Sequence, residues 1–317
     1  MSTPVLTLTN VSKRYGDFTA VNEINLSIPQ GAVYGFLGPN GAGKTTTIRM
    51  ILDIIRPDSG QIEVLGHSSA MDVRHRIGYL PEEKGLYKKM KVWAIISYFA
   101  TLKGLDRRTA KHKAFELLER YGLKDFANNA VESLSKGMGQ KVQVLASIAH
   151  DPELVILDEP FSGLDPVNQE VLEQLIRDLA ANGQTVIFST HIMQHAERLC
   201  ERLLLITQGR KVFDGTVDQA HAIIPRRVVL ETRDDLSKLL QLEDVLSMQE
   251  TPAAPEDQAQ GIRQWELYVR EQADPQNILK HCFENKVSLN RFDFTQASLH
   301  DVFVHLVGKE AREHNFR

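Results

Sequence analysis

Gly38-Pro39-Asn40-Gly41-Ala42-Gly43-Lys44-Thr45 fits the spacing G-x-x-x-x-G-K-[ST]. A polyphosphate has to be met by many backbone N–H donors at once. Glycine permits that close approach and the unusual dihedrals of such a loop. The flanks suit the motif. Residues 32–37 form a short apolar run ending at glycine, as a buried strand would. Residues 45–55 place Ile48, Ile51, Leu52 and Ile55 on one helical face, and Pro57 disfavours helix at Arg56. A strand, a glycine loop and a helix whose N-terminus faces an anion predict an α/β nucleotide-binding fold. Lys44 is expected to reach the β- and γ-phosphates and the Thr45 hydroxyl to ligate Mg²⁺. Gly38, Pro39, Asn40, Gly41, Ala42, Gly43 and Thr46 complete the cradle.

Further along, Leu154-Val155-Ile156-Leu157-Asp158-Glu159 is an apolar strand that ends in two carboxylates. Ligands of open α/β sheets sit beyond the carboxyl ends of strands. Asp158 is therefore placed to hold Mg²⁺, and Glu159 to orient and deprotonate an attacking water. Residues 5–8, 20–28, 185–189 and 202–207 also read as strands. Residues 92–121 read as two or more helices, and 142–149 and 171–179 as single ones. Alternation of strands and helices predicts a parallel sheet covered on both faces.

The pattern changes near Ile224-Pro225. Strands are expected at 227–231, 265–269 and 287–294, helices at 275–284 and 299–307, and a loop at 251–261. This tail of about 90 residues is large enough to fold alone. The expected domains are a cassette over 1–222, with a helical subdomain at about 90–140, and an accessory α+β domain over 223–317.

Composition bounds the function. The net charge of −4 offers no bulk attraction to nucleic acid. Cys200 and Cys282 stand in no metal-type spacing and suit buried, reduced thiols. No apolar run approaches the ~20 residues that span a bilayer, and the first ten residues do not read as a signal peptide. A cytoplasmic location is expected, with any membrane attachment supplied by another chain.

Five more segments fall in order around the phosphate loop: Lys13-Arg14-Tyr15-Gly16, Tyr79-Leu80-Pro81-Glu82, Leu134-Ser135-Lys136-Gly137-Met138, Ser162-Gly163-Leu164-Asp165 and Ser189-Thr190-His191. This order resembles the ATP-binding cassette of ABC transporters. The resemblance implies ATP as the nucleotide, a P-loop fold with a mixed core sheet, an antiparallel β subdomain and a helical subdomain. It also implies roles. Tyr15 would stack on adenine, and Glu82 would sit where the family commonly has a glutamine that senses Mg²⁺ and the γ-phosphate. Ser135 and Gly137 would reach the ATP held by a second cassette, Asp165 would organise the dimer seam, and His191 would contact the γ-phosphate. Two departures stand out: the carboxylate of Glu82, and Lys136 with Met138 where the family's common form has glycine and glutamine.

The segment from Gly78 through Tyr87 and the form Leu-Ser-Lys-Gly-Met look like the type-2 ABC exporter group, including sodium-export subunits. Ser298-Leu299-His300-Asp301-Val302-Phe303 is similar to the small C-terminal domain of that group. These resemblances imply an ATPase subunit that closes as a homodimer and powers a separate integral membrane permease, peripheral on the inner face of the cell membrane. Residues 92–130, entered through Gly85-Leu86-Tyr87-Lys88-Lys89-Met90, would dock the permease. The tail would either hold two cassettes together or sense a ligand. The competing class is a soluble ABC ATPase acting on ribosomes or DNA. Its members usually carry two cassettes or a long inserted coiled coil, and neither is present here.

Overall fold

The computed structural model describes residues 4–83, 85, 87–252, 261–270 and 272–314. They fall into two compact units, Met1–Val217 and Asp218–Arg317.

The first unit opens with the hairpin β1 (Pro4–Tyr15) and β2 (Phe18–Pro29). β3 (Val33–Leu37) leads through the phosphate loop into α1 (Lys44–Ile51), and β4 (Ser59–Val64) returns to pair with β1. β5 (Ile77–Leu80) follows, then three helices, α2 (Val92–Leu102), α3 (Arg107–Arg120) and α4 (Lys136–Ile148). The rest alternates: β6 (Leu154–Asp158), α5 (Pro166–Ala181), β7 (Thr185–Thr190), α6 (Met193–Leu199), β8 (Arg202–Thr207) and β9 (Arg210–Thr216).

Six of these strands form one sheet in the order β5-β6-β7-β3-β8-β9. Every neighbouring pair is parallel except β8 with β9. Each residue of β3, β6 and β7 is buried, which explains why they read as continuous apolar runs: a parallel strand covered on both faces has no polar side to show. β1, β2 and β4 make a separate antiparallel sheet, whose apolar side joins Phe36, Ile48 and Ile156 in the main core.

Parallel register positions the site. Leu37 pairs with Thr190, and Asp158 pairs with Ser189. The phosphate loop, the acidic pair and His191 therefore leave the sheet at one carboxyl edge, although they lie far apart in sequence. α1 is shorter than the periodicity predicts. It ends at a Leu52 cap, and Asp53 turns to φ 54°, a conformation no helix can continue. The Asp53 carboxylate accepts a hydrogen bond from Ser69 Oγ at 2.5 Å, so a tertiary contact holds the turn ahead of Pro57.

Side-chain caps account for the starts of α3, α4 and α5. Asp106 accepts from the backbone N–H groups of Arg108 and Thr109, Ser135 from Met138, and Asp165 from Asn168. The expected helix at 142–149 is in fact the last part of α4, which starts at Lys136. The apolar spacing was clear only where α4 is buried, whereas Ser135 marks its true start.

α7 (Val217–His221) spans the division between the units. The second unit contains β10 (Arg227–Thr232), β11 (Val245–Thr251), β12 (Arg263–Val269), α8 (Pro275–Glu284), β13 (Leu289–Thr295) and α9 (Leu299–His314). Its four strands form an antiparallel sheet, β11-β12-β10-β13. Val228, Leu230, Leu267 and Val269 bury one face against Ile278 and Cys282 of α8. The expected loop at 251–261 lies mostly outside the described residues, and so do Lys84 and Leu86. Cys200 and Cys282 are both free and buried. Among the described residues no helix is long and apolar enough to cross a membrane.

Candidate active site

The loop after β3 could be built from few other residues. A Cβ on Gly38 would lie 2.1 Å from the carbonyl oxygen of Ile206, and one on Gly43, at φ 105°, would lie 2.4 Å from that of Ala20. Backbone atoms cannot yield as a flexible side chain can, so these positions require glycine. Lys44 follows and is buried. Its Nζ donates to the carbonyl oxygens of Gly38 at 2.7 Å and Pro39 at 3.2 Å, folding the side chain back over its own loop.

The acidic pair sits beside it. Thr45 Oγ1 donates to Asp158 Oδ1 at 3.3 Å, and Ser189 Oγ donates to the same oxygen at 2.5 Å. Ser189 Oγ also accepts the backbone N–H of Glu159 at 2.9 Å. One serine on β7 thus fixes both acidic residues at the end of β6. Asp158 Oδ2 is buried with no hydrogen-bond partner among the described residues. Burial pushes the Asp158 carboxyl above its ordinary range, against the pull of the hydrogen bonds from Ser189 and Thr45. Glu159 occupies φ 48°, an uncommon region for a non-glycine residue. Its Oε1 is 3.5 Å from Lys44 Nζ and its Oε2 is 3.0 Å from His191 Nδ1.

A cavity of about 250 Å³ opens over this group, lined by Asn40, Gly41, Ala42, Gly43, Lys44, Thr45, Thr46, Glu82 and Glu159 together with Phe18 and Ala20. Asp158 joins it through Thr45, His191 through Glu159, and Gly38 and Pro39 through the Lys44 ammonium. Tyr15 does not line it. It is half-exposed at the end of β1, opposite Phe18, with Lys13 Nζ 5.6 Å from its ring centroid.

Ser135, Gly137 and Asp165 form a second group away from the cavity lining. Ser135 caps α4, its Oγ accepting from Met138 N–H at 3.3 Å. Asp165 caps α5 and also accepts from Asn168 Nδ2 at 2.6 Å. The Asn168 side chain lies close against Gly137, and the Lys136 side chain crosses Gly163. The signature segment and the turn before α5 are packed together within one chain. Lys136 stays exposed to solvent while its side chain passes over Gly163.

Sequence reading passed over Phe18, Ser189 and Gln140. Ser189 was within reach of it: two buried parallel strands ending in Asp158 and Ser189 must align at the sheet's edge. Gln140 Nε2 donates to the buried carbonyl of Pro160 at 3.2 Å, a contact no local pattern announces.

The family model described as "ABC transporter" matches residues 21–162, and the model described as "ATP-binding protein DrrA1-3-like, C-terminal domain" matches 221–307. The chain is 40% identical over 305 residues to the uncharacterized ABC transporter ATP-binding protein YhaQ of Bacillus subtilis (strain 168), covering 96% of this chain and 99% of that one. It is 34% identical over 327 residues to the Nod factor export ATP-binding protein I of Ralstonia nicotianae, covering 98% and 96%. A solved ATP-binding subunit of an ABC transporter superposes with a TM-score of 0.64 at 29% identity, covering 69% of this chain and 92% of that one. The chain belongs to the ATP-binding subunits of ABC transporters, and it is an ATPase whose hydrolysis of ATP powers transport.

Proposed function

We propose that this subunit drives an exporter whose membrane-spanning part is a separate polypeptide, and that two copies close head-to-tail on two ATP molecules. The observation that carries the reading is the meeting of Lys44, Glu159 and His191 at one cavity floored by the phosphate loop. Export is supported by the full-length likeness to a Nod factor export ATP-binding protein and by the match of the tail.

The residues take these parts. The loop from Gly38 to Thr46 binds the triphosphate through backbone N–H groups, and Lys44 exchanges its carbonyl acceptors for phosphate oxygens. Tyr15, beside Phe18 at the tip of the first hairpin, is the adenine contact. Glu159 accepts a proton from the attacking water, and His191 holds the Glu159 carboxylate and the γ-phosphate in place. The orphaned Asp158 Oδ2 and the Thr45 hydroxyl fit a hard cation. They suit Mg²⁺, a cation that keeps water and phosphate oxygens as most of its ligands. Asp158 and Thr45 would hold it, with Glu82 facing it from the cavity wall, and when bound it would neutralise phosphate charge.

Ser135 and Gly137 lie outside the cavity lining of their own chain, so they serve the ATP of a second copy. Asp165 lies at the same seam. Two-fold symmetry then makes two equal composite sites. The permease docks on α2 and the segment before it. There a cavity of about 240 Å³, lined by Tyr79, Leu80, Pro81, Phe99 and Ala146 among others, opens beside exposed Tyr87 and Tyr98. Glu82 adjoins Pro81 in sequence, so the nucleotide cavity and the docking cavity share one short segment. The subunit would then sit on the inner face of the cell membrane.

Affinity purification of the tagged chain from detergent-solubilised membranes tests the reading. A stoichiometric complex with an integral membrane protein, whose loss abolishes transport, is the expected result. Co-sedimentation with ribosomes or DNA and no membrane partner would overturn it.

A further inference from the structure

A buried charged cluster lies beneath the loop that follows Glu159, and no role described above uses it. His195 of α6 and Glu173 of α5 are each about 5% exposed or less, unusual for either residue type. Their facing atoms, His195 Nδ1 and Glu173 Oε1, are 3.6 Å apart, and neither has a hydrogen-bond partner among the described residues. Arg177, from the same helix as Glu173, donates to Glu173 Oε2 at 3.3 Å, and Arg198 of α6 stands 3.7 Å from Oε1. A buried carboxylate carries a large desolvation penalty, and a core of apolar residues would serve stability as well or better. Its presence at this place calls for a use.

The use lies in what His195 touches. Its imidazole stacks on the ring of Phe161, with centroids 4.1 Å apart and planes inclined by 11°. Phe161 is buried, and its other neighbour is Phe188 of β7, met edge-on at 5.8 Å. Phe161 stands two residues after Glu159 and four before Asp165. The turn between them is held from the other side by Gln140 of α4, which donates to the Pro160 carbonyl. Its backbone is closed by Ser162 N–H on Glu159 O and Leu164 N–H on Phe161 O, each at 3.2 Å. Glu159 itself is at positive φ, a conformation that persists only when its surroundings enforce it.

We propose that Glu173 and His195 are positioning residues for ATP hydrolysis: Glu173 orients the His195 ring, the ring clamps Phe161, and Phe161 sets the turn that aims the Glu159 carboxylate and places Asp165. The inference rests on Glu159 as the hydrolytic base. Burial holds the imidazole of His195 below its ordinary protonation range, against the pull of Glu173, which suits a neutral ring stacked face to face on an aromatic one. A neutral ring with its proton on Nδ1 turns that N–H toward Glu173 Oε1, 3.6 Å away, and the attraction favours one tautomer and one plane. Neither residue lines the nucleotide cavity, so their effect is confined to the geometry of attack.

The test uses the full chain with ATPase activity, ATP affinity and Tm measured together. The unaltered chain runs in parallel, and if it fails to hydrolyse ATP the reading of the site itself fails. His195→Ala and Glu173→Ala are each expected to lower kcat about tenfold, since small misplacements of a catalytic group are costly, with the Kd for ATP within about twofold. The double variant is expected to be no slower than either single one, because both residues act through the same ring. Glu173→Gln, which keeps a carbonyl to accept from His195, is expected to retain most of kcat. The proposal is overturned if kcat is unchanged in both alanine variants, if the two losses add, if Glu173→Gln is as slow as Glu173→Ala, or if ATP affinity and kcat fall together in step with Tm.

Discussion

His191 Nδ1 stands 3.0 Å from Glu159 Oε2, while Glu159 Oε1 faces Lys44 Nζ at 3.5 Å, so one carboxylate is held between the histidine after β7 and the lysine of the phosphate loop. Each grip comes from a different strand end, and parallel register is what brings them to one carboxylate. His191 is the more exposed partner, at 45% of its side chain, and so remains free to face a γ-phosphate. His191→Ala should lower the hydrolysis rate about a hundredfold while leaving the Kd for ATP within a few-fold, because on the proposed reading the loop N–H groups and Lys44 supply most of the phosphate binding. Steady-state hydrolysis alongside titration with a fluorescent ATP analogue reads both quantities.

Lys44 should behave in the opposite way. Its ammonium already donates to two carbonyl oxygens of its own loop, so it is pre-aimed at the space a phosphate would fill. Losing a charge-assisted hydrogen bond costs about 2 kcal/mol, roughly thirtyfold in affinity. Lys44→Ala should therefore weaken ATP binding by that order, measured by calorimetry. Undiminished affinity would separate Lys44 from phosphate binding.

Glu82 lines the same cavity as Thr45 and Glu159. A carboxylate beside a triphosphate is unfavourable unless a cation or water stands between them. Glu82→Gln should shift the Mg²⁺ concentration for half-maximal hydrolysis by about three- to tenfold. An unmoved Mg²⁺ titration with an unmoved rate would show that Glu82 faces neither metal nor phosphate.

Asp158 offers a test in stability. Burial raises its folded-state pKa above the ordinary 3.8, and one of its oxygens has no hydrogen-bond partner among the described residues. A carboxyl whose folded pKa is raised binds its proton more tightly when folded. Its contribution to stability is present below the ordinary value and is lost as pH rises through the folded one. At neutral pH the ionised group is a net cost to the nucleotide-free chain. Asp158→Asn should then raise the Tm of that chain by about 2–4 °C at pH 7, with the gain disappearing as pH falls toward the carboxylate range, while ATPase activity is lost. Thermal melts at several pH values check the sign.

Much of this was legible in the chain itself, for physical reasons that differ by residue. The phosphate loop is read directly because its glycines are forced by backbone contacts at Gly38 and Gly43, and a forced residue leaves a fixed spacing. β3, β6 and β7 are legible because burial on both faces leaves unbroken apolar runs. β4 was not, since its sequence Ser-Gly-Gln-Ile-Glu-Val is mostly exposed and carries little hydrophobic signal. α6 was also missed: it is only seven residues long, too short to show a period, yet it carries His195. Gln140 and Phe18 stayed hidden because their parts depend on partners distant in sequence that only the folded chain makes neighbours.

On the proposed reading, Glu159 is the base for ATP hydrolysis in a site completed by a second copy. Glu159→Gln keeps the size and hydrogen bonding of the side chain but cannot take the proton. In the full-length variant, hydrolysis should fall by at least about a hundredfold. Light scattering in ATP and Mg²⁺ should find a stable dimer that the unaltered chain forms only transiently. A Glu159→Gln chain that turns over ATP at the unaltered rate and stays monomeric in ATP would rule out Glu159 as the base of a composite site.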